Sequence, residues 1–490
     1  MAMKAVDRRT FLQRVAVATG GVALWPFADV VAGTAQASPG FRELGPVPDL
    51  RDGKVRLHLP EGFEYRSFHD TDGPPVILGD GTRLPGRHDG MAAFPGPEGK
   101  IWLVRNHEVN GPAPAFGPGT PYDAGTAGGT TTALVDGRGN VYDSFTSLNG
   151  TQMNCMGGRM PWGSWITCEE TVNGPDVGAD FTGAPNTSLQ RPHGYIFEVP
   201  AGGQSDRRPI RSAGRFAHEA VAFDPAGGLL YLTEDNFGFP SGFYRYIPPT
   251  NPMETGRLAD GGRLQMLAVV GMPNANLAAA QRQRATYDVT WVDIEQPDVV
   301  FPYTPGQPAP TSNNEAINFV GKQGHAQGAA WFSRIEGCVY DRGVVYFCCT
   351  QGGGPAEASF GPIADGYGNG NGQIWAYRIA AQTLQLIYES PGPGALDLPD
   401  NVTVRSGRGT LVLCEDGTGD NYLRGLNRGG QIFDIALNRL HRNAPPNAPR
   451  YGEEFAGATF SPDGETLFVN IQASQGISFA IWGPWTTLGV

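Results

Sequence analysis

Six times along the chain a short apolar run leads directly into acidic or amide residues. The runs are WLVRNHE (Trp102 to Glu108), WITCEE (Trp165 to Glu170), LYLTED (Leu230 to Asp235), VYFCCTQ (Val345 to Gln351), LVLCED (Leu411 to Asp416) and LFVNIQ (Leu467 to Gln472). A short apolar run bounded by turn residues reads as a buried β-strand, so each run is a strand with polar groups at its end. Most are preceded by a partner strand that itself opens on an acid or amide, at Asp89, Asn154, Glu219, Glu336 and Glu454, with Asp400 and Asn401 opening the fifth. The connecting DPAGG, DRGV, RSGRGT and SPDGET have the Gly, Pro and Asp content of tight hairpin turns.

A third strand recurs as GYIFEV, GFYRYI, GQIWAY and GQIFDI. Strands in fixed order at intervals of roughly sixty residues are the pattern of propeller blades of about four strands each. The expectation is an all-β, six-bladed β-propeller. Between the third and fourth repeats, from about Asn251 to Phe332, an insertion holds the strand-like LQMLAVVG and YDVTWVDIE and a helix near Ala316 to Trp331. The 70 glycines and 41 prolines of the 490 residues suit a many-turned all-β chain, and 40% hydrophobic content supports a large core. The repeats run almost end to end, which favours one domain over residues 38–490.

Residues 1–37 read as a targeting segment. Arg8 and Arg9 precede the apolar stretch Val15 to Trp25 and the small-residue site Ala35-Gln36-Ala37, the layout of a twin-arginine signal peptide. The stretch is too short and Gly-rich for a stable membrane span. The twin-arginine translocase is thus an expected partner, and a periplasmic, secreted or cell-surface location follows. A net charge of −12 with no basic cluster argues against nucleic-acid or anionic-membrane partners. The six cysteines all fall in predicted strands without CxxC spacing, so most read as small buried residues, with room for one disulfide.

Propeller inner strands surround a central channel, so their terminal acids converge: Glu219, Glu336 and Glu454 from first strands, and Glu169, Glu170, Glu234, Asp235, Glu415 and Asp416 from second strands. So many carboxylates at one opening repel one another, and bound cations relieve that. Hard ions such as calcium fit an oxygen-rich ring better than zinc, and no HExxH motif is present. Strand alternation leaves Glu169 against Glu170, and Glu234 against Asp235, open. Cys168 is either an inert strand cysteine or a thiolate for a softer ion such as iron. Arg334, two residues before Glu336, is either an ion-pair partner or a bidentate clamp for phosphate. Arg159, Lys322 and His325 are further basic candidates; His107 and His218 read as packed residues. GYGNGNG lacks the context of a nucleotide loop and reads as a turn.

The segments NCMGGRMPWGSWITCEET, FAHEAVAFDP, YLTEDN, FSRIEG, LCEDG and EFAGATFSPDGETLFVNIQ resemble the PhoX family of bacterial alkaline phosphatases across nearly the whole chain after residue 37. The resemblance implies a six-bladed propeller whose channel mouth holds iron and calcium around a bridging oxide and cleaves phosphomonoesters, a metal-held oxide or hydroxide attacking phosphorus. It implies that Cys168 is an iron ligand, that Glu219, Glu336, Asp416 and Glu454 are cluster carboxylates, and that Arg334 binds phosphate. Glu169, Glu234 and Asp235 follow from matching motif blocks. The implied protein is a monomer acting on small phosphate esters. The residues alone also admit a calcium-dependent hydrolase of lactonase or phytase type, or a non-catalytic propeller pinned by calcium.

Overall fold

The computed structural model describes residues 43–357 and 366–490; the signal-peptide reading falls outside them. The regular secondary structure of the described residues is almost entirely strand, and the sheets fan out around an axis in a propeller-like arrangement. Six inner strands line the axis: His88–Pro95, Asn154–Met160, His218–Asp224, Ile335–Asp341, Pro399–Val404 and Phe455–Phe460. Each packs beside the next, and the last packs back on the first. Each pairs antiparallel with the strand that follows, namely Ile101–His107, Ser164–Glu169, Leu229–Glu234, Val344–Cys349, Leu411–Glu415 and Thr466–Ile471. These second strands are the six apolar runs. They alternate little between apolar and polar because both faces are covered: Leu411–Glu415 and Thr466–Ile471 are buried at every position.

Inner strands approach so closely that a side chain would not fit at certain points. A Cβ on Gly90 would lie 2.5 Å from Met156 Cα, and one on Gly337 would lie 2.7 Å from the Val402 amide nitrogen. Further out, aromatic rings fill the wedges between sheets, as where Phe243 stacks on Phe347 at 4.5 Å between centroids.

Hydrogen bonding groups the strands into sheets of six, three, nine, four and four strands. The nine-stranded sheet arises from the insertion. Its strands Arg263–Val269 and Thr286–Ile294 extend the sheet of His218–Asp224, and Thr286 to Asp288 pair with Thr383 to Gln385 of the sheet built on Ile335–Asp341. The insertion therefore adds two strands to the sheet, and the helix expected near Ala316 to Trp331 is instead two short helices, Asn313–Ile317 and Phe319–Ala326. GQIFDI proves to be a fourth strand, Ile432–Asn438, outside Tyr422–Leu426. The sequence reading also missed Glu64–Phe68, which pairs with Ile477–Trp482 and joins the chain's two ends in one sheet. All six cysteines are buried and unbridged.

Candidate metal and phosphate site

Every inner strand is irregular at the same place. The register with the second strand shifts between His88 and Met91, Asn154 and Gly157, His218 and Val221, Ile335 and Cys338, Pro399 and Val402, and Ala456 and Thr459. A bulge re-aims side chains that a regular pleat would send into a neighbouring sheet. The bulges carry Asp89, Cys155, Glu219, Glu336 and Asp400 in five strands, and Gly457 with Ala458 in the sixth.

One atom each from Glu219, Glu336 and Asp400 lies within 4.8 Å of the others, and the same holds for Cys155, Glu170 and Glu219. Glu219 belongs to both groups. It is 2% exposed and its Oε2 has no hydrogen-bond partner, as is true of Asp89 Oδ1. Burial first, then the carboxylates of Glu336, Glu170, Asp400 and Asp89, push Glu219 well above the usual carboxylate range. Burial and Glu108 do the same to Asp89. Burial, with Glu219 and Glu170, pushes the Cys155 thiol up as well. Such a set is costly empty and favourable around a multivalent cation.

A second tier sits one residue beyond each second strand. The amides of Glu108, Glu170, Asp235, Thr350, Asp416 and Gln472 donate to the carbonyls of Arg87, Met153, Ala217, Arg334, Leu398 and Glu454 at 2.9 to 3.1 Å. This sixfold bond fixes the rim. Arg87, Met153, Arg334 and Leu398 are all left-handed there, with φ of 47°, 48°, 39° and 49°, a conformation costly for non-glycine residues and found where function or a tight kink demands it. Arg334 donates from Nε and Nη2 to Asp235 at 3.1 and 2.8 Å, from Nη2 to Glu336 at 2.7 Å and from Nη1 to Gln351 at 3.4 Å. The Phe237 ring lies 5.1 Å from the guanidinium.

The sequence candidates thus divide. Glu219 and Glu336 come together; Asp235 joins them through Arg334. Asp416 and Glu454 hold rim positions, half-buried. Glu169 and Glu234 turn away from the mouth. Glu169 accepts from the amides of Gln152, Gly194 and Tyr195 and from His193; Glu234 accepts from the Gly242 amide and the Tyr244 hydroxyl, and burial lifts it to about 8. Glu415 binds the Asp397 and Tyr422 amides and Arg424 in the same way. Each of these glutamates ties the loop between its second and third strands. Cys155 and Cys168 share one apolar cluster with Ile166, Ile196 and Phe216, and of the two it is Cys155 whose sulfur lies within 4.8 Å of carboxylate oxygens of Glu170 and Glu219. Cys155 and Asp400 are absent from the candidate ligands read from sequence, and of the open pair Glu169 and Glu170 it is Glu170 that joins a ligand group. Aligning NCMG with HDGM, HEAV and IEGC would have found Cys155, which fills the slot of Asp89, Glu219 and Glu336.

Arg159 lines a cavity of about 680 Å³ that draws on the opposite, distal halves of the inner strands, Lys322 is exposed, and His325 is buried. His107 bonds the Gly86 carbonyl and Thr131, and His218 bonds the Gly214 carbonyl, so both are packing residues.

His193 anchors the site from behind. Burial opposes its charge, but Glu169, at 2.6 Å from Nδ1, and Asp123, at 3.5 Å from Nε2, prevail and hold it up at about 9. A raised histidine stabilises the fold fully below its unfolded value near 6.5 and loses that contribution as pH rises through about 9. Thermal melts of wild type should therefore show stability falling over this window, by about 3 kcal/mol, and His193→Asn should flatten the curve.

The fold and the mouth define a class: an all-β, propeller-like protein whose axis opens on carboxylates and a thiol suited to multivalent cations, with an arginine beside them. The chain matches the family described as alkaline phosphatase PhoX over residues 41–144 and 137–475. It belongs to that family, and is a phosphatase. Among solved structures it is similar to Pseudomonas fluorescens PhoX in complex with vanadate, a transition state analogue, at 17% identity and a TM-score of 0.63, covering 91% of this chain and 98% of that one. Gluconolactonases from Xanthomonas campestris (14% identity, 90% and 99% covered, TM-score 0.35) and Pseudomonas aeruginosa (13%, 85% and 92%, TM-score 0.37) are more distant. No curated protein sequence matches. Among the described residues no helix is long and apolar enough to cross a membrane.

Proposed function

We propose that the protein is an exported, metal-dependent phosphomonoesterase built as a six-bladed propeller, with iron and calcium at the channel mouth. The circuit of six inner strands supports the blade count, the two sheets bridged by the insertion being separate blades. The observation that carries the metal reading is Glu219: buried, with an oxygen lacking any partner, and shared by a thiol-containing group and an all-oxygen group.

Cys155, Glu170 and Glu219 fit iron, for which a thiolate is a suitable ligand; Glu219, Glu336 and Asp400 fit calcium, which prefers oxygen. Asp89, on a bulge, and Asp416 and Glu454, at the rim, are the further carboxylates that would complete the shell. Bound ions would supply Lewis acidity and cancel the repulsion a phosphate dianion would meet at this acidic mouth. Arg334 binds phosphate oxygens, its orientation set by Asp235 along one edge and Glu336 beneath, so that its Nη1 contact with Gln351 is the one a substrate oxygen replaces. Fixed positive charge at this spot stabilises the charge that develops on the equatorial oxygens. Arg8-Arg9 and the apolar stretch that follows support export by the twin-arginine route.

The test is metal analysis with activity toward an aryl phosphate. Iron and calcium should both be present, Cys155→Ser should lose most iron and activity, and Cys168→Ser should retain both. Metal-stripped protein with full activity would overturn the reading.

A further inference from the structure

Beside the mouth, a pocket of about 380 Å³ has an apolar wall of Val76, Leu84, Pro85, Val109 and Phe116, and Thr71, Arg83, Ser474 and Gln475 also line it. Leu84 is 3% exposed, and the other four residues of the apolar wall are half-buried. Two of the lining residues flank the rim itself. Gly86 precedes Arg87 and Val109 follows Glu108, and Arg87 and Glu108 are joined by the rim's backbone bond at 3.0 Å and by an ion contact of 3.5 Å. Below, the His107 ring meets Phe116 at 5.8 Å and His88 at 5.3 Å, and its Nδ1 bonds the Gly86 carbonyl at 2.8 Å. His88 and His107 are the residues next to Asp89 and Glu108. Pocket wall and acidic mouth are therefore one continuous packed unit.

We propose that this pocket receives the alcohol portion of the substrate and selects phosphomonoesters with an aromatic or apolar leaving group. The inference rests on the phosphatase reading above and adds to it a substrate class. Its size lies within the range of small-molecule pockets, and its five apolar side chains reward burial of a ring. With the phosphate beside Arg334 and the ions, the ester's organic part must leave the mouth on some side. Arg87 lies at the junction, its amide fixed to the Ala473 carbonyl at 2.7 Å next to Ser474 of the pocket.

Leaving-group reactivity would confuse a comparison of turnover, so binding of unreactive phosphonates is the cleaner probe. Competitive inhibition constants for benzylphosphonate and methylphosphonate are measured on the metal-loaded wild type, Val109→Trp and Phe116→Ala. Burying one ring should make benzylphosphonate tighter by about ten- to a hundredfold in wild type. That ratio should fall toward one when tryptophan fills the pocket and shrink when Phe116 is removed. Phe116→Ala carries the readout if the tryptophan variant does not fold. A wild-type ratio near one, as expected if the pocket seats another part of the chain or a second copy, overturns the proposal, and so does a ratio that survives both substitutions. Failure of either phosphonate to inhibit, together with no hydrolysis of an aryl phosphate, overturns the phosphatase reading and this inference with it.

Discussion

Glu219→Gln should abolish phosphatase activity while leaving the metal-free protein as stable as wild type or more so. The loss in kcat/KM is expected to be on the order of 10³-fold or greater, since the side chain belongs to both ligand groups and cation assistance is worth several kcal/mol at about 1.4 kcal/mol per tenfold. The opposite sign in stability follows from the local field. Glu336, Glu170, Asp400 and Asp89 all raise the proton affinity of Glu219, on top of burial. A carboxyl whose folded value is raised contributes stability below its ordinary value near 4.5, and that contribution is lost as pH rises through the folded value. Metal-free wild type should therefore melt at progressively lower temperature as pH increases past the ordinary carboxylate range, and the neutral amide should weaken that dependence. Added calcium should restore the wild type at high pH and do much less for the variant. A buried carboxylate that served only packing would lose stability and activity together on substitution, so melts with and without calcium, read beside turnover of an aryl phosphate, separate the two roles.

The fold was legible because its repeat is written in short-range chemistry. Apolar runs such as LVLCED and turns such as SPDGET state a strand and a hairpin without reference to the rest of the chain. What escaped depended on long-range pairing: Glu64–Phe68 belongs to the last sheet only because the chain closes on itself, and the insertion's strands are recruited by an edge that no local pattern announces. At the site, the residue types were readable and their facing was not. Strict alternation gives no basis for preferring Cys155 to Cys168 or Glu170 to Glu169; the bulge decides it. In Asn154–Met160 the bulge brings Cys155 into the group with Glu170 and Glu219, while Glu169, paired opposite Asn154, is left to bind the loop amides of Gly194 and Tyr195. A bulge costs no special residue here, so its position shows only when all six strand starts are superposed.

Arg334→Ala should separate substrate binding from metal binding. The guanidinium is 5% exposed and held by two carboxylates; a phosphate that approaches it meets a donor already oriented and desolvated, so truncation is expected to cost on the order of 10²- to 10³-fold in kcat/KM and to weaken inhibition by vanadate comparably. Lysine should recover little, because a single ammonium cannot bridge Asp235 and Glu336 and also face the phosphate in the planar geometry those contacts set. Cation affinity should move the other way. Removing a positive charge 2.7 Å from Glu336 leaves that carboxylate and Asp235 more strongly negative toward any ion beside them, so iron and calcium content should be kept or increased. Asp235→Asn provides the complementary case: the guanidinium loses its side-on grip at Nε and Nη2 but keeps its charge, so the expected result is a rise in KM with a smaller fall in kcat. If Arg334→Ala lost its metals along with its activity, the arginine would be an element of the ion cage, and the assignment of phosphate binding to it would have to be withdrawn.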